Sequence, residues 1–153
     1  MSLSSVLSRL ERETGLSFEP TDFPARLRIQ KAVYLLNCLG DPNTKNYNFN
    51  LYVRGPYSPD LARAYYNITI DTVSKVPAAF IQDHRLRPVC EAVKRGNNFL
   101  EAASTLHLIA RKNPGKPKDS IVNHVRWLKP ELGRQLGEAW EFLEHEGLLT
   151  GSM

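Results

Sequence analysis

The stretch Arg26-Leu-Arg-Ile-Gln-Lys31 running into Ala-Val-Tyr-Leu-Leu36, then Tyr47-Asn-Phe-Asn-Leu-Tyr-Val-Arg-Gly55-Pro-Tyr-Ser-Pro-Asp-Leu61, decides the fold. Its first part carries Leu27, Ile29, Ala32, Val33, Leu35 and Leu36, apolar over most of a helical circumference, which puts this helix at the centre of the core. Thr21 or Asp22 stands where an N-cap is wanted, Pro24 suits the first turn, and Gly40-Asp41-Pro42 ends the run. From Tyr47 to Arg54 the period changes to two. Phe49, Leu51 and Val53 alternate with Asn48, Asn50, Tyr52 and Arg54, the pattern of a half-buried strand. A single strand leaves its ladder groups unpaired and needs a partner, for which Thr72 to Ile81 and the Leu148 to Ser152 tail are the candidates. Ser58 as N-cap, with Pro59 at the first helical position, opens a further helix through Leu61, Ala62, Tyr65, Tyr66 and Ile68.

Outward from this block the helical period dominates. Leu3, Val6, Leu7 and Leu10 share one face of a first helix that Gly15 is placed to end. Ser74 to Asp83 has no clean period and reads as irregular; a helix follows from about Leu86 to Arg95, with Pro88 in its first turn. Asn98 is positioned to cap a helix bearing Phe99, Ala102, Ala103, Leu106, Ile109 and Ala110. Residues 111–118, with two prolines and a glycine, form an exposed basic turn. Asp119 or Ser120 caps the next helix, and the last runs from Pro130 to Glu146 with Gly147 as its left-handed stop and Leu148 folding back. The expected fold is mainly α, a compact domain of about six helices with a small β element around residues 47–54.

At 153 residues, 42% of them hydrophobic, the chain has enough material for one sizeable core and too little for two, so residues 1–153 read as a single domain. Its apolar runs fall short of a membrane span, and Ser4, Ser5 and Arg9 interrupt what would be the apolar stretch of a secretory signal. Cys38 and Cys90 lie within helical patterns and suggest reduced thiols in a cytoplasmic protein. The formal net charge of +4 is uneven: Arg85 to Lys129 holds ten Lys/Arg against Glu91, Glu101 and Asp119, whereas Glu131 to Glu146 holds five acids against Arg134. That asymmetry offers a basic patch, although a domain that lives by phosphate contacts is usually more basic overall.

No constellation for catalysis or metal binding stands out. His84, His107, His124 and His145 lack the spacing of a zinc site, and Gly55, Gly96 and Gly115 are isolated, so no phosphate-cradling loop is present. Ser58 and Ser120 sit where helix caps are wanted rather than in a nucleophile elbow. Asn67-Ile-Thr69 is a chance match to a glycosylation acceptor. No cofactor is implied. The polar residues set among apolar ones carry more information: Gln30, Lys31 and Tyr34 on the central helix, with Tyr52, Arg54, Tyr57 and Asp60 around the corner. Burying an amide without a partner costs about 1–3 kcal/mol, and a charge costs more, so Gln30 and Lys31 are expected to bond the Gly55-Pro56 turn or pair with Asp60. An enzyme reading would need a deep polar pocket lined by Lys31, Tyr34 and Tyr57.

Arg28-Ile-Gln-Lys31 with Val-Tyr-Leu-Leu36, Tyr47-x-Phe49-x-Leu-Tyr52, Gly55-Pro-Tyr-Ser58, Phe99-Leu-Glu-Ala-Ala-Ser-Thr-Leu-His107 and Trp127-Leu-Lys-Pro130 together resemble the uncharacterised YwgA-like family of prokaryotes. That family is similar in turn to the SocA-like antitoxin modules called Panacea domains. The resemblance implies a compact, mainly helical domain that acts by binding, as an antitoxin or adaptor whose partner is a protein such as a cognate toxin. On this reading Gln30, Lys31, Tyr34, Gly55, Pro56 and Ser58 form a structural hub, and Tyr52, Arg54, Tyr57 and Asp60 are partner-binding candidates. The alternative is a winged-helix-like regulator that binds nucleic acid through Arg111, Lys112, Lys116, Lys118, Arg126 and Lys129.

Overall fold

The structure is a computed structural model that describes residues 2–68 and 72–149. Along the chain run α1 (Leu3–Thr14), α2 (Phe23–Cys38), β1 (Asn50–Tyr52), β2 (Gly55–Tyr57), α3 (Pro59–Tyr66), α4 (Thr72–Lys75), α5 (Asp83–Lys94), α6 (Asn97–Lys112), α7 (Lys118–Leu128), a 3-10 turn (Pro130–Leu132) and α8 (Gly133–His145). The fold is mainly α with one small antiparallel hairpin.

Two helices form the centre. α6 is buried without interruption from Phe99 to Ile109, and α2 is buried from Ile29 to Leu36. They pack on each other; α8, α7 and α5 add to α6, while the hairpin lies against both. α1 closes the far side through α4 and α5. The irregular segment after α4 is tied to it by Ser8 Oγ donating to the Val76 carbonyl at 3.0 Å and the Ala79 N–H donating to the Ser5 carbonyl at 2.9 Å.

Local chemistry explains most boundaries. Asp22 caps α2 by accepting from the Ala25 N–H at 2.9 Å, and Ser58 caps α3 by accepting from the Leu61 N–H at 3.2 Å. Gly147 at φ 73 turns the chain back after α8, so that the Leu148 N–H reaches the Leu143 carbonyl at 2.9 Å and Leu148 joins the core.

Several boundaries differ from expectation. α5 starts at Asp83, so Pro88 lies in its second turn; the donor it lacks would have met the carbonyl of exposed His84, where water can substitute. Asn98 does not cap α6: the helix begins at Asn97 after Gly96 at φ 107, and the Asn97 amide bonds the Pro24 carbonyl at 3.2 Å instead. Neither Asp119 nor Ser120 caps α7, which begins directly after Pro117 and takes both into its first turn.

The largest correction concerns the strand. Residues 47–54 are not one strand; β1 spans three residues, the chain turns at Val53-Arg54, and Gly55–Tyr57 returns as the partner, with Leu51 opposite Pro56 and Tyr52 opposite Gly55. Of the two regions expected to supply that partner, Thr72 to Ile81 contains helix α4 and irregular chain, and Leu148-Leu149 is a turn; residues 150–152 lie outside the described residues. Gly55-Pro56 is therefore strand rather than turn. Proline is tolerated because Leu51–Pro56 is the middle, non-hydrogen-bonded pair of the hairpin, where neither the N–H nor the carbonyl faces the partner strand. Of the Asn67-Ile-Thr69 match, Thr69 lies outside the described residues.

Candidate functional site

The hairpin is held down by side chains from α2 and α6. Gln30 makes a two-way clasp with Ser58: its amide nitrogen donates to the Ser58 carbonyl at 3.1 Å, and its oxygen accepts from the Ser58 N–H at 2.9 Å. Lys31 Nζ donates to the Pro56 carbonyl at 2.9 Å, using the acceptor that the ladder leaves free. Gly55, at φ 91, presses against α6 so closely that a Cβ would stand 2.5 Å from Thr105 Oγ1. The expectation that Gln30 and Lys31 bond the Gly55-Pro56 segment agrees with the geometry for Lys31, whereas Gln30 bonds the backbone of Ser58, two residues beyond Pro56. Pairing with Asp60 does not occur, because Asp60 is bound by Arg63 one helical turn on.

Behind the hairpin lies a buried group of charges. Glu101 on α6 pairs with Lys129 at 3.0 Å, with both side chains nearly inaccessible, and Lys129 Nζ also donates to the Val53 carbonyl at the hairpin tip. Lys129 is thus withdrawn from the surface, and its place among the nucleic-acid candidates is corrected: a lysine whose charge is committed to a buried carboxylate has none to offer a phosphate. Arg111, Lys112, Lys116, Lys118 and Arg126 remain exposed. Lys31 shares the field of Glu101, and burial pulls its ammonium down to about 8, reinforced by Lys129 and Arg54 and opposed by Glu101.

In front of the hairpin opens a cavity of about 350 Å³ lined by Phe23, Arg26, Leu27, Gln30, Lys31, Tyr52, Val53, Arg54, Tyr57, Tyr65 and Tyr66. Four of the exposed large apolar side chains crowd its rim: Phe23 (49%), Tyr52 (49%), Val53 (83%) and Tyr66 (66%). Tyr52 packs on Tyr57 with ring centroids 5.0 Å apart, Tyr65 on Tyr66 at 5.1 Å, and the Arg54 guanidinium lies 5.5 Å from the Phe23 ring centre. The cavity gathers Tyr52, Arg54 and Tyr57 of the expected partner-binding residues and leaves Asp60 out. Phe23, Arg26 and Tyr66 were not anticipated. Signals for two of them exist in the sequence: adjacent Tyr65 and Tyr66 on a short helix cannot both face the core, and Phe23 precedes the apolar period of α2.

Tyr34 lies elsewhere. Its hydroxyl meets His107 Nδ1 at 2.7 Å, His107 Nε2 meets the Leu148 carbonyl at 3.1 Å, and Cys38 Sγ stands 3.5 Å from the same Nδ1. A carbonyl only accepts, so Nε2 carries the proton and Nδ1 accepts from Tyr34. Burial pushes His107 down to about 4 and the Cys38 thiol up to about 11, and it raises Tyr34 well above the ordinary phenol range. A neutral imidazole beside a neutral thiol is not an activated nucleophile pair. The adjoining cavity of about 290 Å³, which Cys38, His107 and Arg111 line, gives the cluster no access to the hairpin corner, whose cavity it does not share. Among the described residues no group of three or more His, Cys, Asp or Glu could hold a metal ion, and no helix is long and apolar enough to cross a membrane.

Compared with known proteins, the chain significantly matches no protein-family model, no curated protein and no solved structure.

Proposed function

We propose that this chain is a non-enzymatic protein-interaction module of the cytoplasm whose partner surface is the cavity between the hairpin, the start of α2 and α3. One observation carries the reading: Phe23, Tyr52, Val53 and Tyr66 are exposed together around a single concavity that also holds Arg26 and Arg54. Scattered exposed apolar residues need no explanation, but a cluster of tyrosine, phenylalanine and arginine is the composition of binding hot spots. The rigid hub beneath it supports the same reading, because a surface fixed by Gln30, Lys31 and Gly55 loses little entropy on binding. The free thiols of Cys38 and Cys90 suit a reducing compartment.

The double variant Val53→Ser/Tyr66→Ser tests the proposal. Both side chains are exposed, so stability should stay within about 0.5 kcal/mol of the parent, while crosslinked partner recovered from the native host falls about tenfold or more. Equal recovery by parent and variant would refute the reading. The motif resemblance extends it to an antitoxin or adaptor that binds a small toxin; rescue of toxin-arrested growth by the parent and not by the variant checks that extension.

A second reading, nucleic-acid binding, is favoured by Trp127, 81% exposed beside Arg126 on the helix that follows the basic turn, as a platform on which a base can stack. Affinity for an oligonucleotide that falls steeply with added salt is the expected result.

A further inference from the structure

The hairpin cavity, together with the buried charges behind the hairpin, holds more positive charge than the protein neutralises. Lys31 and Lys129 face a single carboxylate, Glu101, and that carboxylate is committed to Lys129 at 3.0 Å. Lys31 is left with the Pro56 carbonyl, a dipole rather than a charge, at 2.9 Å. Arg26 and Arg54 stand in the same cavity, and none of its lining residues is acidic. Lys31 is buried and Arg26 half-buried, where a cation without a counter-charge is costly, and Arg54 stands exposed at the mouth, so an anion bound between them would complete the arrangement. The rest of the lining is aromatic or aliphatic, so the anion must belong to a molecule that also carries an apolar group.

We infer that the cavity receives an acidic segment of the protein partner, with a carboxylate side chain directed toward Arg26, Arg54 and Lys31 and a neighbouring aromatic or branched apolar side chain set among Phe23, Tyr52, Tyr57 and Tyr66. The inference rests on the interaction-module reading and names the chemistry of its partner. A cavity of about 350 Å³ accepts one or two side chains and not a folded surface. Nucleic acid fits it less well, because a strand is tracked by a row of cations spaced along its phosphates, whereas here the cations converge on one concavity. Arginine at the mouth favours a carboxylate further, since its planar fork matches that group with two parallel donors.

A phage-displayed library of random short peptides, selected on the immobilised full chain, tests the inference. The expected winners place Asp or Glu next to Phe, Tyr, Trp or Leu. A synthetic representative should bind about tenfold or more weakly to Arg26→Gln/Arg54→Gln, and its counterpart with amides in place of the acids should lose as much affinity for the parent protein. The amide peptide needs no protein variant, so it decides the matter even if the double variant folds poorly. Winners without acidic residues, equal binding of the acid and amide peptides, or no selectable peptide at all would overturn the inference. So would displacement of the peptide by inorganic phosphate or by a single-stranded oligonucleotide at concentrations matching the peptide's own. If Val53→Ser/Tyr66→Ser abolishes partner recovery while the selected peptides carry no acids, only the charge assignment falls; if recovery is unaffected as well, the module reading falls with it.

Discussion

Gly55 shows how one missing methyl group can position a site. Its φ of 91 and its approach to Thr105 are separate demands, and glycine meets both. Gly15 shares only the first, with φ 72 and no atom within 4 Å of a built Cβ. Gly15→Ala should therefore cost about 1–2 kcal/mol from backbone conformation alone. Gly55→Ala should cost about 2–5 kcal/mol, because a methyl group must also force aside a β-branched residue fixed in a buried helix. Urea denaturation of both variants checks the difference. Adding Thr105→Ala to Gly55→Ala should recover the steric part and leave the conformational part; no recovery would mean that the contact is not what makes this glycine necessary. At this scale the sequence was legible where a local pattern exposed a conflict. Gln30 and Lys31 stand out because α2 is apolar nearly all the way round, so their burial could be foreseen together with their need for backbone partners. The meeting of Tyr34 with His107, 73 residues apart, leaves no local trace and could not be read.

Among the elements, the helices whose ends are set by side chains were readable and those set otherwise were not. Asp22 and Ser58 announce α2 and α3 by the hydrogen bonds they make. α6 and α7 begin after Gly96 and Pro117 with no side-chain cap bond, so the nearest polar residue misleads. The hairpin escaped because alternation continues through its turn: Val53 keeps the phase of Phe49 and Leu51 yet is 83% exposed. His107 joins three elements at once, touching Tyr34 and Cys38 on α2, standing on α6, and bonding the Leu148 carbonyl beyond α8. Its imidazole ordinarily titrates at 6.5 and in the fold at about 4, pushed down first by burial and then by Arg111. Between those values the unfolded chain binds a proton that the folded chain refuses. The stability His107 provides is therefore complete above pH 6.5 and lost as pH falls through about 4, by up to about 1.4 kcal/mol per pH unit. Urea midpoints measured across this range should fall less steeply in His107→Gln than in the parent. Identical slopes would show that the ring is not held neutral.

Across the whole molecule, the Glu101–Lys129 pair links the central helix to the connection between α7 and α8, and through Val53 to the hairpin. Removing one member leaves a buried charge alone. Glu101→Leu, which leaves Lys129 and Lys31 with no carboxylate, should lower stability by about 3–5 kcal/mol, and Glu101→Leu/Lys129→Met should regain part of that loss, as chemical denaturation of the single and double variants would show. The tie from Lys129 to the hairpin tip spans 76 residues of chain. A hairpin of three residue pairs has little hold on its own shape, so its tip waits for a lysine that the ribosome delivers much later.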